Sequence, residues 1–89
     1  MKGYRELERI VRGFSNHRRI EMLELLQRRP ELSVEDIAEI LNINAKTTSS
    51  HMQRLAIAGL VVKRNEAASV RHKLSKRGIL ILKSLRTLE

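Results

Sequence analysis

Six residues within a nine-residue span carry the chemistry that stands out in this chain: Lys46, Thr47, Ser49, Ser50, Gln53 and Arg54. Their ammonium, guanidinium, hydroxyl and amide groups bond phosphate oxygens and the edges of base pairs. Residues 44–60 contain neither Asp nor Glu. A generic solvated helix face mixes both signs of charge, so an acid-free stretch suits a polyanion. If the segment is helical, successive side chains rotate by about 100°. With Thr48 inward, Met52 lies about 40° to one side and Leu55 about 20° to the other, which defines a core face. Lys46, Ser50 and Gln53 then point nearly opposite, flanked by Thr47, Ser49 and Arg54. The small hydroxyls leave this surface slim enough to enter a major groove. His51 falls about 60° from Thr48, at the border, where its ring could donate to a phosphate or satisfy a backbone carbonyl.

Other chemistries are poorly served. The chain has no Cys, which excludes disulfides and thiolate metal sites. It has no nucleophile elbow, no Gly-rich phosphate loop and no carboxylate pair in a pocket, so no enzyme is expected. Glu35 and Asp36 sit at a helix start, where acids favour the macrodipole. His17, His51 and His72 fall one per element without ligand spacing, so neither a metal nor a cofactor is expected. The 18 Lys and Arg outweigh 10 Asp and Glu, a formal charge of +8. Such a field draws polyanions whatever the fold. Tyr4 and Phe14 are the only Phe, Trp or Tyr residues, and both lie in an amphipathic N-terminal segment. Readers of single strands stack bases on exposed aromatics, so duplex DNA is the better partner. The longest apolar run, Gly78–Leu82, is too short to span a bilayer. MKGYRELERIV lacks the apolar core of a signal peptide, and a cytoplasmic location is expected.

The surrounding pattern predicts the elements that hold these groups. Tyr4, Leu7, Ile10, Val11 and Phe14 recur at three- and four-residue steps, a first helix whose end Gly13 loosens. Ser15 or Asn16 caps a second helix running to about Arg28, apolar at Ile20, Met22, Leu23, Leu25 and Leu26. Pro30 stops it. Ser33 with Asp36 three positions on resembles a capping box, opening a third helix with Val34, Ile37, Ala38 and Leu41 inward. Asn42–Asn44 form a turn, Asn44 caps the fourth helix over 45–58, and Gly59 closes it. Leu60–Arg64 and Ser69–Leu74 predict a hairpin around Asn65–Ala68. Ser75 caps a last helix through Leu88, apolar at Ile79, Ile81, Leu82, Leu85 and Leu88. The sum is one domain, 1–89, mainly α with a small β-hairpin: a winged helix-turn-helix of about five helices and a two-stranded wing. An all-helical bundle is the alternative, and it would force the Val-containing, basic Val61–Leu74 into a helix.

On these residues the chain resembles the ArsR-type winged-helix family of transcriptional regulators. FSNHRRIEMLELL is similar to the family's opening helix, in which an Arg precedes Ile-x-x-Leu-x-x-Leu. ELSVEDIAEILNI resembles its first helix-turn-helix element. TTSSHMQRLAIAGLV resembles the signature Ser-x-His-Leu, a spacer, then Ala-Gly-Leu-Val. Ser49, His51, Leu55, Ala58, Gly59, Leu60 and Val61 match it, with Met52 in place of Leu. LSKRGILIL also resembles the terminal helix of MarR-type regulators. The resemblance covers roughly residues 13–74. It implies a homodimer that sets two recognition helices into successive major grooves of a pseudo-palindromic operator, with repression as the outcome. Carried over by position, Lys46, Ser49 and Ser50 are the main groove contacts, supported by Thr47, His51, Gln53 and Arg54. The helices at 1–14 and 75–89 would build the dimer through Leu7, Ile10, Val11, Phe14, Ile79, Leu82 and Leu85; the alternative for these residues is intramolecular core.

The chain also departs from the family pattern. Where metal-sensing members carry cysteines, Ser33 and Glu35 stand here, and Ser75–Leu88 lacks the Asp and His of other sensors. The wing tip reads Asn65-Glu66-Ala67-Ala68 rather than Gly with basic residues, and Glu66 would repel a phosphate. Because strand side chains alternate, Arg64 and Arg71 are selected as backbone contacts among Lys63, Arg64, Arg71, His72 and Lys73. Two competing readings remain: a winged-helix module for protein contact and a basic amphipathic membrane binder.

Overall fold

The computed structural model describes residues 2–89. They run α1 (Tyr4–Phe14), α2 (His17–Arg28), α3 (Val34–Leu41), α4 (Ala45–Ile57), β1 (Val61–Glu66), β2 (Ser69–Leu74) and α5 (Lys76–Arg86). This is a winged helix-turn-helix.

Side-chain caps explain where four of the helices begin. Asn16 Oδ1 accepts from the amides of Arg18 and Arg19 and starts α2. Ser33 Oγ accepts from Asp36 N while Asp36 Oδ2 accepts from Ser33 N, a reciprocal capping box for α3. Asn44 Oδ1 takes the amides of Lys46 and Thr47, and Ser75 Oγ takes that of Gly78. Asn42 ends α3 in the left-handed region at φ 55°, which turns the chain toward α4.

Met22, Leu23 and Leu26 of α2, Ile37 of α3, Met52 and Leu55 of α4, and Leu60 form the centre of the core. Thr48 is buried with them, its hydroxyl donating to Asn44 O at 2.9 Å, so no polar atom is stranded. Gly59 at φ 78° swings the chain out of α4, so that Leu60 and Val61 enter the core. The start of α5 rests on that same bend: a Cβ at Gly78 would stand 2.1 Å from Leu60 O.

The hairpin is longer and tighter than the sequence predicts. β1 continues to Glu66, Asn65 pairs with Val70 and Glu66 with Ser69, and only Ala67–Ala68 form the turn. Ala67 takes φ 54° there, a conformation that two-residue hairpin turns require and that Gly or Asn would have signalled. The sequence also gave no sign of a third strand segment. Leu32 bridges His72, with His72 N donating to Leu32 O and Glu31 N to His72 O, both at 2.9 Å. Glu31 adopts φ 68° to make this edge.

The terminal helices differ in how they dock. α1 buries no residue completely and lies along α2 and α4. α5 stops at Arg86, two residues before Leu88. Leu82, expected at a dimer face, is 2% exposed and belongs to the core cluster. A side chain enclosed by its own domain has no surface left for a partner, so Leu82 leaves that set.

Candidate nucleic-acid interface

The Asn44 cap and the buried trio Thr48, Met52 and Leu55 fix the rotation of α4 about its axis. Lys46, Thr47, Ser49, Ser50, Gln53 and Arg54 are exposed as a result. The wing tip lies beside the start of this helix. Val34, Glu35, Ala45, Lys46, Ser49, Ala68, Ser69 and Val70 line one cleft between α3, α4 and β2. Glu35 is the one acid in that lining, opposite Lys46. Among the described residues, neither Lys46 nor Arg54 is held in an ion pair, so both cations remain available to an external anion.

Among the described residues His51 bonds no backbone carbonyl; its ring meets a guanidinium instead. Its Nδ1 accepts from Arg19 Nε at 3.1 Å. Desolvation, reinforced by the charges of Arg19, Arg54, His17 and Arg18, pushes its pKa below the ordinary imidazole value. Arg19 also donates from Nη1 to Arg12 O at 2.9 Å and Gly13 O at 3.3 Å. One guanidinium thus joins the end of α1 to the middle of α4. Sequence reading passed over this residue; its only signal was its place before the Ile-x-x-Leu-x-x-Leu run.

The wing arginines are both engaged. The register sets Arg64 directly opposite Arg71, so they share one face of the hairpin. Arg64 donates from Nε and Nη2 to Glu31 Oε1 at 3.0 and 2.8 Å, and its Nη2 also lies 2.7 Å from Glu66 Oε2. These bonds raise its already high pKa. Arg71 Nη1 sits 3.3 Å from both Asp36 Oδ2 and Glu31 O. The Asp36 carboxyl is held below its usual range by the two bonds with Ser33, with a smaller contribution from Arg71. Glu66 and Glu31 thus both occupy Arg64. Lys63 and Lys73 stay exposed on the strands.

Both terminal helices also expose apolar side chains. Tyr4 is 85% exposed, and Leu7 and Val11 are exposed beside it on α1. Ile79 and Leu80 are exposed on α5, while Ile10, Phe14 and Leu85 are half-buried. Among the described residues no group of three or more His, Cys, Asp or Glu could hold a metal ion. No described helix is long and apolar enough to cross a membrane.

Comparison with known proteins gives this arrangement a context. The family model for bacterial regulatory proteins of the arsR family matches residues 16–63. A homodimeric winged helix-turn-helix DNA-binding domain from Mycobacterium bovis, a possible ArsR-family transcriptional regulator, superposes with a TM-score of 0.81 at 27% identity, over 99% of this chain and 88% of its own. The transcriptional regulator HlyU of Vibrio vulnificus gives 0.75 at 30% identity, over 92% and 85%. Staphylococcus aureus MepR, solved as a complex with DNA, shares the fold at 0.77 and 18% identity, over 93% and 72%. No curated protein matches the chain in sequence.

Proposed function

This chain belongs to the arsR family of bacterial regulatory proteins, and from that premise we propose that it is a homodimeric, sequence-specific binder of duplex DNA that represses transcription. The observation that carries this reading is the exposed, acid-free face of α4, capped by Asn44 and backed by a rigid core. Lys46, Ser49 and Ser50 contact base edges in the major groove, with Thr47, Gln53 and Arg54 on the groove walls and His51 on a phosphate. Arg64 and Arg71 reach the DNA backbone by exchanging their carboxylates for phosphates. The dimer forms through α1 and α5, whose exposed Tyr4, Leu7, Val11, Ile79 and Leu80 would otherwise face water. The homodimeric relative from Mycobacterium bovis supports a dimer. Occupying an operator excludes the polymerase, which makes repression the outcome, and the protein acts in the cytoplasm.

Selection of bound fragments from random duplex DNA, followed by fluorescence anisotropy over a salt series, tests the reading. A pseudo-palindromic site and a log–log salt slope of about −4 to −8 per dimer are expected, each phosphate contributing about −0.9. Ser50→Glu should abolish binding without altering circular dichroism. A slope near zero would return the domain to the class of protein-contact modules.

A further inference from the structure

We infer that Arg19 is a positioning residue for DNA contact: its bond to Nδ1 fixes the His51 imidazole with the proton on Nε2, presented as an N–H donor to a backbone phosphate. This rests on the DNA-binding reading above.

A guanidinium has only N–H donors and cannot accept. With Arg19 Nε 3.1 Å from His51 Nδ1, that ring nitrogen must carry the lone pair. The neutral ring then holds its one proton on Nε2. Burial first, then the charges of Arg19 on α2 and Arg54 on α4, with smaller effects from His17 and Arg18 on α2, disfavour the charged form of the ring. Nε2 bonds to none of the described residues, and no side-chain polar atom without a partner is buried, so Nε2 is open to solvent. Around it Arg18 is paired with Glu21, whereas Arg19 and Arg54 have no ion-pair partner among the described residues. An N–H donor set among cations at the junction of α2 and α4 is complementary to a phosphate.

The guanidinium is itself held in place. Nη1 binds the carbonyls of Arg12 and Gly13, the last turn of α1, while Nε binds the ring. Two differently directed donors on one rigid plane make this possible, and lysine, with a single nitrogen, cannot reproduce it. His51 is thereby oriented by α1 through Arg19.

Long-range proton–nitrogen correlation of the imidazoles in the full chain, recorded without DNA above pH 7, tests the positioning directly. The wild type should show His51 as the single Nε2–H tautomer. Arg19→Lys, which keeps the charge, should give a mixture of tautomers and lose about fivefold in affinity for the selected duplex, the loss of one hydrogen bond. Its salt slope should not change. In a His51→Ala background, Arg19→Lys should cost nothing further. An Nδ1–H or mixed tautomer in a wild type that binds DNA overturns the role of Arg19 alone, as do additive losses in the double variant. Absence of duplex binding by the wild type would instead refute the DNA reading, whatever the tautomer. Should Arg19→Lys fail to fold by circular dichroism, the wild-type tautomer still decides.

Discussion

Replacing Glu31 and Glu66 together by Gln should make the protein bind duplex DNA more tightly and with a steeper dependence on salt. In the free protein Arg64 engages these carboxylates through Nε and Nη2, at 3.0 and 2.8 Å to Glu31 and 2.7 Å to Glu66. When Arg64 leaves them for a phosphate, the freed carboxylates recruit cations, and this offsets the counterions released from DNA. The wild-type wing arginine therefore adds little to the slope. With neutral Gln at both positions no such recapture occurs, and each subunit gains one effective phosphate contact. Two subunits at about −0.9 each steepen the slope by about −1.8. Over a fourfold rise in salt, from about 50 to about 200 mM, the variant should lose about twelvefold more affinity than the wild type does.

Anisotropy on the selected operator measures this, with Arg64→Ala as the control in both backgrounds. In the wild type Arg64→Ala should be nearly silent. In the double-Gln background it should return the slope to the wild-type value, a coupling that a double-mutant cycle isolates. Folding should be little affected, because exposed ion pairs contribute little, and Gln at position 31 meets the same left-handed backbone as Glu (φ 68°). An unchanged slope in the double-Gln variant would mean that this face of the wing does not meet DNA. A large loss from Arg64→Ala in the wild type would mean that the carboxylates do not compete.

Three further outcomes probe the scaffold. Asn44→Ala removes the acceptor for the Lys46 and Thr47 amides and should lower urea-unfolding stability by about 1 kcal/mol. Gly78→Ala would place a methyl 2.1 Å from Leu60 O, a backbone atom that cannot rotate away. A loss of about 1–3 kcal/mol is expected in thermal unfolding, whereas Gly3→Ala, with nothing within 4 Å, should be silent. The Asp36 carboxyl titrates below its ordinary 3.8 in the folded chain. Its stabilising contribution is therefore complete above that value and is lost as pH falls through the folded one. Asp36→Asn should be less stable at neutral pH and show a flatter acid limb below about pH 4 in a pH series of urea midpoints.

What could be read from the sequence was chiefly what neighbouring residues decide. Asn16, Ser33, Asn44 and Ser75 each bond an amide two or three positions on, so the helix starts followed from local chemistry alone. The outward face of α4 followed as well, since three buried side chains at helical spacing fix its rotation. The wing was only half legible. Its turn depends on Ala67 accepting φ 54°, and its third edge on Leu32 meeting His72 across 40 residues. Neither leaves a mark in composition. Leu82 was misjudged for a related reason. α5 is apolar on more than one side, and periodicity alone does not tell which side meets the domain's own core.

The same long-range contacts change how the net charge should be understood. A formal +8 spread over 89 residues suggests a diffuse basic surface. Folding pairs Lys2, Arg12, Arg18, Arg64, Arg71 and Arg86 with carboxylates and so neutralises part of it locally, both wing arginines included. On α4 no cation is paired in this way: Lys46 stands in its first turn and Arg54 in its last, with hydroxyls between them and no acid from residue 44 to residue 60. A phosphate approaching Arg64 or Arg71 must displace a carboxylate, whereas one approaching Lys46 or Arg54 displaces only water. The carboxylates of Glu31, Glu66 and Asp36 thereby set how much the two wing arginines add to the potential of α4. For this reason the charges of Glu31 and Glu66 should govern how much Arg64 adds to the salt dependence of binding.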